Sequence, residues 1–132
     1  MSFADELRKK SDSAPKEEKD SENRYMNEMY RTLKEGVVRC FMRKCYEEAS
    51  RGETAIYFFA EFINLVGIIH QQERMYVKET DFVYLKHVLR TKRAELAGFI
   101  MQELKKNELK KIKVKVAASR AVGYYVKISA SW

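Results

Sequence analysis

Residues 111–132 read KIKVKVAASRAVGYYVKISASW, and the period of this stretch sets the fold class. Ile112, Val114 and Val116 alternate with Lys111, Lys113 and Lys115. Tyr124, Val126, Ile128, Ala130 and Trp132 then alternate with Tyr125, Lys127, Ser129 and Ser131. Alternation of period two places an apolar and a polar row on opposite faces of a strand. Between the two runs, Ala118 to Gly123 holds Ser119, Arg120 and Gly123, residues suited to a turn. The spacing predicts an antiparallel hairpin. A lone hairpin is marginal in water, so its apolar face must rest on helices.

Those helices lie upstream. Ser21 is a good N-cap, and Met26, Met29, Leu33, Val37, Cys40, Phe41 and Cys45 then recur at gaps that mark one helical stripe. Gly52 supplies the stop. In residues 54–73, Ala55 to Ala60 is an unbroken apolar run, compatible with a buried strand or a buried helix. Glu61, Asn64, Gly67 and Gln71 form a narrow polar stripe, which favours a helix apolar on nearly every side. Such a helix belongs at the centre of a fold or in a homodimer interface. Met75 to Val77 reads as one short strand. From Asp81 onward, Phe82, Leu85, Leu89, Leu96, Ile100 and Leu104 keep helical phase across the polar run Arg90-Thr91-Lys92-Arg93. One helix over 81–106 or two helices meeting near Thr91 both fit, and the unbroken phase favours one.

Residues 1–20 are short of large apolar side chains and hold the single Pro15, so a disordered tail is expected there. The expected organisation is therefore that tail and one α+β domain over 21–132, with three main helices packed on a C-terminal antiparallel β-hairpin. The chain has 132 residues, 45 % of them apolar, which suits one domain of ordinary size. No apolar run is long enough to span a membrane, and the polar, acidic start does not read as a secretory signal. A cytoplasmic protein with no membrane partner is the expectation.

Charge is unevenly placed. The chain carries a net +7, while residues 81–132 alone hold 12 basic and 4 acidic residues, a net +8. Charge concentrated on one segment builds a field that attracts phosphate backbones or acidic protein surfaces, although a solvated lysine-rich face looks the same in sequence. Cys40 and Cys45 lie five apart in the first helix and point roughly 140° away from each other, which forbids a disulfide between them. With two distant histidines they fall short of a spaced zinc signature, so no metal is expected. Gly-rich phosphate loops, nucleophile elbows and paired-histidine helices are all missing from the sequence. No catalytic residue, cofactor or enzymatic activity is expected.

The hairpin carries the sharper reading. With the apolar row inward, Lys111, Lys113 and Lys115 share the outer face, about 7 Å apart along the strand, with Tyr125 and Lys127 beside them. Such a ribbon suits successive phosphates. Lysines on an edge strand also guard against sheet-to-sheet aggregation, and that alternative stays open. Arg90, Lys92 and Arg93 form a second basic cluster.

If the helix breaks near Thr91, the order strand, helix, helix and hairpin over residues 75–132 resembles the second half of a winged-helix domain. That resemblance implies that Thr91, Lys92 and Arg93 open a recognition helix. The two ends of the chain, Met1-Ser2-Phe3-Ala4-Asp5-Glu6-Leu7-Arg8 and Gly123-Tyr124-Tyr125-Val126-Lys127-Ile128-Ser129-Ala130-Ser131-Trp132, resemble small uncharacterised proteins of prophages and mobile elements of gram-positive bacteria. This resemblance implies a setting of mobile DNA and no activity. The expected function is binding of nucleic acid, DNA or RNA, through Arg90, Lys92, Arg93, Lys111, Lys113, Lys115, Tyr125 and Lys127. The alternative is a protein-interaction module, such as an inhibitor of a host nucleoprotein defence complex, using the same basic face on an acidic protein surface.

Overall fold

The hairpin forms and gains a third strand. A computed structural model describes residues 2–73 and 79–132, with side chains described at 2–12, 24–71 and 81–132. The elements in chain order are α1 (Phe3–Ser50), β1 (Ala55–Glu61), α2 (Phe62–Glu73), α3 (Glu79–Thr91), α4 (Arg93–Lys106), β2 (Lys110–Ser119) and β3 (Gly123–Ser131). The strands make one antiparallel sheet in the order β1-β3-β2. The fold is α+β, with helices packed on one face of the sheet.

Helix α1 begins at Phe3, not Ser21, so the stretch expected to be a disordered tail is helical. Local chemistry starts it. The Ser2 hydroxyl accepts from the Asp5 backbone N–H at 3.3 Å, and the Asp5 carboxylate accepts in turn from the Ser2 backbone N–H in a capping box. Burial plays no part, because every described side chain from Ser2 to Asp12 is exposed. The packed stripe comes later: Met29, Leu33, Val37, Phe41 and Cys45 are buried, and Gly52 at φ 87 ends the turn after the helix.

The run Ala55 to Ala60 is a strand rather than the start of a helix. Ile56, Phe58 and Ala60 turn toward the core, whereas Tyr57 and Phe59 face outward, 61 % and 40 % exposed. Two outward aromatics hid the alternation, since they read as apolar in sequence. Helix α2 follows at once. The Asn64 side-chain oxygen accepts from the Glu61 backbone N–H at 2.9 Å, the reciprocal half of a capping box, and closes the helix start. Leu65, Val66, Ile68 and Ile69 of α2 are buried within the chain's own core, so the apolar character that suggested a dimer interface serves internal packing. The short strand expected over Met75–Val77 lies outside the described residues.

Helices α3 and α4 are two elements divided at Lys92, whose φ of −118° and ψ of 18° leave the helical region. The Thr91 hydroxyl donates to the His87 carbonyl at 2.8 Å, a back-bond that bends helices. The apolar stripe stays in phase across the break, and Leu85, Leu89, Leu96, Ile100 and Leu104 are all buried. A winged-helix arrangement does not result. The hairpin is no free wing: β3 lies between β2 and β1, and α4 packs along β2.

Candidate nucleic-acid interface

Register decides which side chains share the uncovered face. Phe58, Ala60, Val116, Val126, Ile128 and Ala130 are buried against the helices. The alternate residues therefore look outward. Tyr57 pairs with Ser129, which pairs with Lys113; Phe59 pairs with Lys127, which pairs with Lys115; Glu61 pairs with Tyr125, which pairs with Ala117. Directly paired residues point to the same side of a sheet, about 5 Å apart between strands and about 7 Å apart along them. The outcome is a graded surface. Aromatic side chains line the β1 edge, Lys127 and Tyr125 occupy the middle strand, and lysines line the β2 edge.

Four of the hairpin residues expected at the site, Lys113, Lys115, Tyr125 and Lys127, share this face. Lys111 is displaced. Two residues, Lys111 and Ile112, stand opposite the single Ala130 between the pairs Lys110–Ser131 and Lys113–Ser129, and Lys111 adopts a left-handed φ of 51°. This bulge shifts the phase by one residue. Lys110, paired with Ser131, takes the place that strict alternation assigned to Lys111. The bulge has no sequence marker, since the left-handed position is filled by lysine instead of glycine.

The second basic cluster lies on the helical side. Arg90 is exposed, with its guanidinium 3.3 Å from His87 Nδ1, and it borders a shallow cleft with Val83, Lys86 and Tyr124, a residue on the inner face of β3. The Lys92 ammonium sits 4.8 Å from the centre of the Tyr30 ring, and Lys34 sits 4.7 Å from the same centre. These contacts assign Lys92 a packing role worth about 0.5–1 kcal/mol at a partly exposed site. Arg93 is exposed at the start of α4. Arg90, Lys92 and Arg93 are thus not brought together with the hairpin lysines.

Electrostatics leave the sheet face positive. The ion pairs Arg51–Glu48 and Lys106–Glu103 lie elsewhere, and Glu61 is the one acidic residue that the register places on the face. The Lys127 ammonium lies 5.6 Å from the centre of the Tyr57 ring. Phe59 and Tyr125 stack with ring centres 5.2 Å apart and planes 29° apart. Tyr57 and Phe59 were missed in sequence because the helical reading of residues 54–73 buried them. The sequence carried no period-two signal for them, since Ala55 to Ala60 is apolar at every position.

Other chemistry is scarce. Among the described residues no group of three His, Cys, Asp or Glu side chains is placed to hold a metal ion. Burial raises the Cys45 thiol pKa above its ordinary value, which disfavours the thiolate. No helix among the described residues is long and apolar enough to cross a membrane. Compared with known proteins, the chain matches no family model, no curated protein and no solved structure.

Proposed function

We propose that the protein is a non-enzymatic nucleic-acid-binding protein whose contact surface is the open face of the sheet. The observation that carries this reading is the shared register of Lys113, Lys115 and Lys127 on the face away from the described helices, with no carboxylate among the described residues paired to any of them. Ammonium groups at strand spacing, free of acidic partners, suit a polyanion backbone, where displaced counterions supply the binding free energy. Exposed edge-strand lysines that only prevent aggregation need no companions on the central strand, and Lys127 is such a companion. A phage or mobile-element setting, implied by the resemblance of the two chain ends, accords with a DNA or RNA partner.

The test is salt dependence. Each lost phosphate contact lowers the slope of log K against log salt by about 0.9 on duplex DNA and about 0.7 on single strands. Replacing Lys113, Lys115 and Lys127 together by Gln is expected to flatten that slope by about 2–3 units and to leave the fold intact. Absence of binding by the unaltered, folded chain near physiological salt would replace this reading with that of a protein-interaction module.

A further inference from the structure

The lysines occupy only part of the face, and aromatic rings stand on its β1 side. Tyr57 is 61 % exposed and Phe59 40 % exposed, on the edge strand farthest from the lysines of β2. Isolated exposed apolar residues need no explanation, but three rings side by side on a basic surface do. Phe59 and Tyr125 are already stacked, and Lys127 stands between the aromatic and the basic halves, over Tyr57. Cross-strand aromatic pairing alone would stabilise the sheet, yet it does not explain why the rings adjoin a row of unpaired cations.

Resting on the nucleic-acid reading above, we propose that this face binds single-stranded nucleic acid, with phosphates along Lys113, Lys115 and Lys127 and bases stacked on Tyr57, Phe59 and Tyr125. A duplex keeps its bases paired inside and offers these rings nothing but sugar and phosphate. A single strand offers both a backbone and free base faces, in two parallel tracks, as the sheet does. Rings at the β1 edge lie about 10 Å across the sheet from the lysines of β2, two strand spacings, so the strand lies along the sheet with its bases toward β1. Glu61 beside Tyr125 repels phosphate from the aromatic half and fixes that orientation. Two to three bases fit the rings, and because every base has a stacking face, sequence preference is weak.

The probes are an oligothymidylate of about twelve nucleotides and a duplex of the same length, titrated against the full chain at two salt concentrations. The single strand is expected to bind more tightly than the duplex. Tyr57→Leu and Phe59→Leu are each expected to weaken single-strand binding by about tenfold while leaving the salt slope unchanged. Tyr57→Phe, which keeps the ring, should restore affinity to within about twofold of the unaltered chain, and melting curves verify that each variant folds. Equal or tighter duplex binding, or Leu variants that bind the single strand as well as the unaltered chain, would overturn the stacking proposal while leaving the lysine-face reading standing. Loss of all binding by the unaltered chain would defeat both.

Discussion

Phe41 is the residue on which the packing of sheet against helix turns. It is fully buried on α1 and meets Phe58 of β1 edge-on, with ring centres 5.9 Å apart. Phe41→Ala removes that contact and leaves a cavity, so a loss of about 3–5 kcal/mol is expected in denaturant unfolding. A second residue-scale prediction concerns pH. The Tyr25 hydroxyl donates to Asp81 Oδ1 at 2.6 Å, and burial, reinforced by that carboxylate, pushes its pKa to about 12. Burial also pushes Tyr30 to about 12, with Glu95 adding to the effect. A tyrosine whose folded pKa exceeds its unfolded value near 10 adds stability that is complete below pH 10 and lost as pH rises toward 12. Stability is therefore expected to fall between pH 10 and pH 12, and the Tyr25→Phe, Tyr30→Phe double variant should lose less over that window in a urea titration. Lys111 supplies a third test. Its left-handed backbone is strained for a residue with a Cβ, so Lys111→Gly is expected to leave the stability unchanged or raise it by about 1 kcal/mol.

Among the elements, α1 is the longest and the least uniform. Its described side chains through Asp12 are exposed, and Tyr25, farther along, meets Tyr84 of α3. Pro15 within it removes one helical hydrogen bond. A chain beginning at Ser21 is therefore expected to melt within about 2 °C of the full chain, and a drop of about ten degrees would show that the first turns dock. The stripe from Met26 to Cys45 and the hairpin were legible because each has one polar and one apolar face, and the solvent boundary writes its period into the sequence. Strand β1 was not legible for the opposite reason. Tyr57 and Phe59 are apolar side chains on the solvent side, so burial period and hydropathy period part company there. The polar run Arg90 to Arg93 left a break near Thr91 open, and the unbroken stripe argued against it, because a Thr91 back-bond changes backbone direction without disturbing the stripe.

At the scale of the whole molecule, charge and architecture divide the labour. The net +8 of residues 81–132 is not one patch: part faces outward from the sheet, and part, with Arg90, Lys92 and Arg93, stays with the helices. Sequence alone could find the lysines of the hairpin, but only the pairing of β3 with β1 sets them beside the aromatic edge. The central claim is that the open sheet face, and not the helical side, is where nucleic acid binds. Amide chemical-shift mapping with the oligothymidylate tests it most directly. Shifts are expected at Tyr57, Phe59, Lys113, Lys115, Tyr125 and Lys127, with little change at Arg90 and Arg93. Shifts gathered at Arg90 and Arg93, with the sheet face unchanged, would contradict the account.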